Sequence, residues 1–300
     1  MEKQHYVPKI YLKQFSCTPD NSILGIKFIK HTNKWSKIKS YKIESICYQD
    51  DFYNLDELTA SKEEVQNDFI ERNAFWYERN FITTIIKKIN NKNLEENDKY
   101  NLCRLFLSLK HRNPKFRKSI SSSNLEGNLD LSILEVKKKY SGLDNEILNQ
   151  ILDVIKKNIL LDKDSDKKLH NYSIYKTSTE TNAIFTEVLK RVSQYSINVY
   201  EVPQKSQRKF ITTDNPGYSI DNNGQIFNTK FKEDSCHFLP LSPLIGIEFI
   251  NNHAPNRIHY RTPSETEIFK FNFSSALMRN TYLYFNESKV LKEFISKVYQ

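Results

Sequence analysis

Glycine is scarce, at six of 300 residues, and none falls in a run that could wrap a phosphate. With no P-loop and no G-x-G-x-x-G turn, the backbone cradles that nucleoside triphosphatases and dinucleotide-binding folds depend on are missing. Cysteine is also sparse: Cys17, Cys47, Cys103 and Cys236 lie far apart in the chain. That spacing offers neither a disulfide framework nor a zinc ribbon, and it fits reduced thiols. His-Glu-x-x-His is absent. No stretch approaches the roughly 18 to 20 apolar residues that a membrane span needs. The opening MEKQHYVPK has no apolar leader segment, so the expected location is the cytoplasm with no membrane partner.

Positive charge, by contrast, is in excess. The formal net charge is +9 and the pI about 9.1, which favours an anionic partner such as nucleic acid, nucleotide or an acidic membrane surface, or else reflects a lysine-rich composition alone. Residues 84–118 hold ten Lys/Arg against Glu95, Glu96 and Asp98, a local net of +7. This segment is the expected phosphate-facing surface.

The patterning predicts an α+β protein in a single unit spanning 1–300. A short helix opened by Pro8 and a hairpin of Ile23–Ile29 and Trp35–Ile43 fill residues 1–60. Residues 61–194 read as helical, because apolar side chains recur at three and four residues. Ser61 with Glu64 fits a capping box. A helix from Leu94 to about His111 stops before Asn113-Pro114, since the residue preceding proline is pushed out of the α region. Serine-rich 118–128 reads as a loop, and helices resume over 130–160 and 165–194. Residues 195–260 are β-rich, with strands at 197–202, 209–212, 224–228, 236–239 and 244–250, and His253 and His259 flanking Pro255 in a loop. Helices over about 264–280 and 287–299 end the chain. The β-rich ends are expected to meet as one sheet around a large helical middle.

Several short motifs recur to a known pattern: QHYVPKIYLKQF at 4–15, Asp51-Phe52-Tyr53-Asn54-Leu55 after Asp50, the segment with Glu71 and Glu78, HRNP at 111–114, TTDNPG at 212–217 and FLPLSP at 238–243. In their order they resemble the bacterial domain-of-unknown-function family 4238. The usual Arg-Thr-Pro is here Arg112-Asn113-Pro114. The resemblance implies a shared fold and a place for the site, with no activity attached.

The residues themselves suggest chemistry. His5 and Tyr6 could supply a proton-transfer group and a stacking or phosphate contact. Asp50, Asp51 and Tyr53 follow an apolar strand expected over Ile43–Tyr48, and adjacent carboxylates at a strand end can hold a divalent cation. Glu64, Glu71 and Glu78 are seven apart, on one face of a helix. Arg112 presents a guanidinium fork for a carboxylate or phosphate. Arg104 and His111 are also seven apart, a spacing similar to that of helical HEPN ribonucleases, though Leu105 departs from their pattern. Thr213, Asp214 and Asn215 compress oxygen ligands into one turn, which is equally ordinary turn chemistry. Ser242 lacks the flanking glycines of a hydrolase nucleophile.

The expected function is a nucleic-acid-acting phosphodiesterase, tied to bacterial or phage conflict. Asp214, with Asp51 or Glu78, would hold Mg²⁺ or Mn²⁺, His5 would move a proton and Arg112 would steady phosphate charge; Tyr6, Tyr53, Thr213 and Asn215 would bind. The alternatives are a non-enzymatic nucleic-acid or protein-binding sensor, and an enzyme acting on nucleotides or NAD.

Overall fold

In a computed structural model, residues 3–53, 78–121, 125–140, 145–162, 164–178, 182–230, 232, 234–251 and 257–298 are described. The strands are β1 Lys3–His5, β2 Ser22–Ile29, β3 Lys34–Trp35, β4 Lys39–Lys42, β5 Tyr48–Asp50, β6 Ser196–Glu201, β7 Thr212–Thr213, β8 Tyr218–Asp221, β9 Ile226–Phe227, β10 Ser235–Ser242, β11 Ile245–Ile250, β12 Ile258–Arg261 and β13 Tyr282–Phe285. The helices are α1 Lys9–Lys13, α2 Glu78–Asn90, α3 Glu96–His111, α4 Pro114–Ser121, α5 Leu125–Lys139, α6 Asn145–Leu161, α7 Ser165–Ser178, α8 Ala183–Val192, α9 Glu265–Met278 and α10 Ser288–Val298. The protein is therefore α+β, as its sequence predicts.

Two sheets dominate. One is six-stranded, in the order β12-β6-β11-β10-β8-β9, and is built wholly from the C-terminal half. Alternation along its strands sorts the side chains. Ile197, Val199, Leu239, Leu241, Ile247 and Phe249 enter the main core against α3 and α8, whereas Tyr200, Tyr218 and Phe238 turn to α9 on the other face. The second sheet runs β3-β2-β13-β7, with β4 also on β2. Here the chain ends do meet, because β13 lies between β2 and β7. The expectation of one shared sheet thus holds for this layer, while most C-terminal strands form the separate six-stranded one.

Helix α3 is deeply enclosed beyond its first turns, where Asn97 and Tyr100 remain exposed. Leu102, Cys103, Leu105, Phe106, Leu107 and Leu109 are at most 1% exposed, and Lys99 and Lys110 are buried with them. It ends where Asn113-Pro114 requires, and Pro114 opens α4 at the position where a missing N–H costs nothing. The loop expected over 118–128 is instead mostly helix. Ser119 is accommodated there because its hydroxyl lies within hydrogen-bond reach of two carbonyl oxygens, Phe116 O at 2.7 Å and Thr229 O at 2.6 Å, and can donate its one proton to either. Three further corrections concern strands. The run 43–48 is a turn of 3₁₀ helix at Ile43–Ser45, with only β5 extended beyond it. His259 lies in β12, pairing parallel with β6 at Asn198, rather than in a loop. Strand β13 interrupts the helical C-terminus. Ser61, Glu64, Glu71 and His253 fall outside the described residues.

Candidate functional site

The short ladder of β1 with β5, His5 opposite Tyr48, fixes the start of the chain. Tyr6 N then donates to Cys47 O at 3.0 Å, and the Gln4 side chain accepts from Tyr53 N. From that anchor the motifs converge. Arg112 Nε donates to Tyr6 O at 2.9 Å, and its Nη1 lies 3.2 Å from Glu78 Oε2, with both side chains almost fully buried. Tyr53 OH reaches Arg112 O at 3.3 Å. Next along the chain, Asn113 Nδ2 donates to Asp214 O at 3.0 Å and Asn280 Nδ2 reaches Asn113 Oδ1 at 3.2 Å.

Asp214 is the hub, yet it looks inward. Its Oδ1 accepts from Asn280 N at 2.8 Å, and its Oδ2 from Thr281 N and Tyr282 N at 2.8 and 3.1 Å. The carboxylate thereby ties the turn between α9 and β13, whose N–H groups would otherwise be buried without partners. Burial pushes its pKa up to about 6, against the opposing pull of those N–H groups and Lys115. Lys115 Nζ in turn caps Met278 O and Arg279 O at 3.2 and 2.6 Å. Thr213 Oγ1 accepts from Asn215 N at 3.0 Å, Asn215 Nδ2 donates to Met278 O at 2.7 Å, and Asn228 closes on Asn215 Oδ1 at 2.9 Å. Gly217 ends the turn at φ +75°, where an added Cβ would stand 2.7 Å from Phe238 O. Ser242 shapes the β10–β11 turn, accepting from Leu244 N and Ile245 N at 3.3 and 3.1 Å.

Of the expected site residues, then, His5, Tyr6, Tyr53, Glu78, Arg112, Thr213, Asp214 and Asn215 are indeed brought into one region, but as a closed joint. Residue exposure is 2% for Arg112 and Asp214 and zero for Thr213 and Asn215. His5 is also buried, and burial, aided by the charges of Lys9 and Arg112, lowers its pKa to about 4, so the ring is neutral near pH 7. Asp51 is half-buried in a left-handed turn at φ +51°. Among the described residues, no three His, Cys, Asp or Glu side chains cluster closely enough to hold a metal, and both oxygens of Asp214, the residue expected to hold Mg²⁺ or Mn²⁺ with Asp51 or Glu78, already accept from backbone N–H groups. His111 is equally enclosed, hydrogen-bonded to Ser173 Oγ at 3.0 Å, with its pKa lowered by burial to about 4. Asn113, Lys115 and Asn280 were not legible as members of this network. Replacing Asp214 by Asn sets an NH₂ group against backbone donors, and we expect a loss of about 2–3 kcal/mol, several degrees in Tm, measured by thermal melting.

The basic run 84–118 is corrected in the same way, because its charges largely serve the interior. Lys99, Lys110 and Arg112 are buried, Lys88 pairs with Asp98 at 2.9 Å, and Arg117 lies 3.6 Å over the Phe52 ring and donates to Phe52 O at 2.7 Å.

The open positive surface is elsewhere. From Asn21 to Ile43 there is no Asp or Glu, and Lys27, Lys30, Lys34, Lys37, Lys39 and Lys42 on β2, β3, β4 and their turns are all exposed, with His31 among them. None of the six lies within ion-pair distance of a carboxylate among the described residues, although other surface lysines such as Lys156, Lys168 and Lys209 do. Register places Lys27, Lys34 and Lys39 on one sheet face together with Tyr41 and Tyr282. These two half-buried rings meet edge to face at 5.8 Å, and Lys27 Nζ lies 5.9 Å from the Tyr282 ring. At the sheet edge the Arg279 guanidinium lies 4.5 and 4.6 Å from the Phe28 and Trp35 rings.

No curated protein and no solved structure matches the chain at a significant level. One protein family does match, over residues 3–289, which covers every motif that converges on Asp214 and Arg112. The chain belongs to that family, described as Protein of unknown function (DUF4238).

Proposed function

We propose that this protein is a nucleic-acid-binding module that lays single strands along the exposed outer part of the β4, β2 and β13 face, where Lys27, Lys34 and Lys39 surround the half-buried Tyr41 and Tyr282 while Ile23 and Tyr284 further in belong to the main core, and that the buried polar joint is the scaffold holding this face in place. The observation that carries the reading is the acid-free hairpin with six exposed lysines, none within ion-pair distance of a carboxylate among the described residues. Ammonium groups without carboxylate partners are free to replace the counterions of a phosphate backbone. Tyr41 and Tyr282 among them provide rings on which bases can stack, a sequence-tolerant contact suited to unpaired strands. The sheet is anchored through β13 to the 280–282 turn, so the Asp214 network sets its position. A metal-dependent phosphodiesterase centred on Asp214 finds less support, since its acidic, basic and imidazole groups are turned toward one another and the backbone.

The test is fluorescence anisotropy with labelled single- and double-stranded oligonucleotides, DNA and RNA, across a salt series. Six engaged lysines give a log–log salt slope of about −4 for a single strand. With Lys27, Lys34 and Lys39 all replaced by Glu, affinity is expected to fall at least about 100-fold and the slope to flatten by about 2. Undiminished affinity in that variant, or no binding by the native protein at low salt, would overturn the reading. Oligonucleotides are expected to stay intact with Mg²⁺, Mn²⁺ or EDTA.

A further inference from the structure

Helix α6 carries two apolar stripes, and only one of them is packed. Leu152 is buried, Leu148 and Ile159 are half-buried on the same side, and Lys156 Nζ anchors this side to α5 through Asp130 at 2.6 Å and Glu126 at 3.2 Å. On the other side, Ile147, Ile151 and Val154 are more than half exposed and Leu161 is 80% exposed. Together with Asn158 they repeat at 147, 151, 154, 158 and 161, alternating steps of four and three residues. That is the a/d spacing of a coiled-coil seam, in which a polar Asn at one core position fixes register and oligomer state at some cost in stability.

We infer that the chain forms a two-fold dimer through this seam, α6 lying antiparallel against α6 of a second copy. Charge complementarity favours a second copy and this orientation. On the flank of the seam the exposed Asp153 precedes the exposed Lys157 by one turn, whereas Lys156 lies on the opposite side and is engaged with α5. An antiparallel partner sets Asp153 of each copy beside Lys157 of the other and opposes the helix dipoles. With Ile155, which is 48% exposed at its border, the seam opens on the order of 500 Å² of apolar side chain per copy, so pairing removes about 1,000 Å² in all, the threshold for a specific interface. A polar segment of another protein would leave the stripe's apolar side chains unmatched, whereas a second copy answers each with its own.

Sedimentation velocity of the full chain at 1–50 µM, a range of about 50-fold chosen to bracket a micromolar dimer, tests the inference. The expected result is a concentration-dependent species of twice the 35.6 kDa chain mass. Ile151→Asp and, separately, Val154→Lys should each raise the dimer dissociation constant at least 100-fold while leaving the circular dichroism spectrum and Tm of the monomer unchanged, both sites being exposed. Asn158→Ile should tighten association or raise the oligomer order. A native protein that is monomeric throughout, or a dimer indifferent to both charged substitutions, would overturn the inference.

Discussion

Arg112→Met should lower stability by about 3–5 kcal/mol, because it leaves the Glu78 carboxylate buried without its cation. Both side chains are at most 4% exposed and stand 3.2 Å apart. The guanidinium also donates to Tyr6 O, so its loss loosens the start of the chain as well. For a chain of this size the change corresponds to a drop of about 5–8 °C in Tm. Glu78→Met alone should be comparably damaging. The double replacement should cost much less than the two single changes added together, because no orphaned charge remains and two apolar side chains fill the space. Urea titrations of the four proteins in the cycle give the coupling directly. Additive losses would mean that the pair is not a unit and that Arg112 acts through some other contact.

The second large effect is acid sensitivity. Burial lowers His5 and His111 to about 4 and holds His170 and His237 well below the usual imidazole value, the last two further disfavoured by neighbouring cations. His5 and His111 are therefore neutral in the fold at pH 5, and His170 and His237 are shifted in the same direction, whereas in the unfolded chain each ring takes a proton near pH 6.5. Between those values the unfolded state binds more protons, so stability falls as pH falls. For fully buried His111 alone this amounts to about 3 kcal/mol between pH 7 and 4. Asp214 acts in the opposite sense. Its carboxyl, raised to about 6, is protonated in the fold before it is in the unfolded chain, which adds stability as pH drops from about 6 toward 4. Four imidazoles outweigh one carboxyl, so Tm is expected to fall by about 10 °C or more between pH 7 and 5. His111→Gln, able to keep the bond to Ser173, should remove part of that slope. A flat Tm over this range would contradict the burial assigned to these rings.

Much of the fold could be read from local chemistry. Asn113-Pro114 marked the end of α3, and alternation located β6, β10 and β11. Strand β13 escaped because four residues between two helices carry too little periodicity to stand out. It is the strand that joins the chain ends, so the sheet connection was legible only as a general expectation. That the motif residues meet in one region, and how they are oriented there, was not legible in the sequence. Asp214 is a good turn residue and a good ligand for the same reason, its oxygens, and the N–H groups they meet lie about 66 residues further on. Charge misled for a related reason. Counting along the chain singled out 84–118, yet Lys99, Lys110 and Arg112 of that segment turn inward. The hairpin's lysines, a net +6 over residues 21–43, are at least as dense and stand on a far more open surface.

Photocrosslinking locates the contact itself. A 4-thiouridine-substituted RNA and a 5-bromodeoxyuridine-substituted DNA would be irradiated with the native protein and the adducts mapped by peptide mass spectrometry. Adducts concentrated on Tyr41, Tyr282 and peptides from the β2–β4 hairpin are the predicted result. Adducts confined to peptides bearing His5, Arg112 or Asp214, or spread evenly over the surface, would contradict the account.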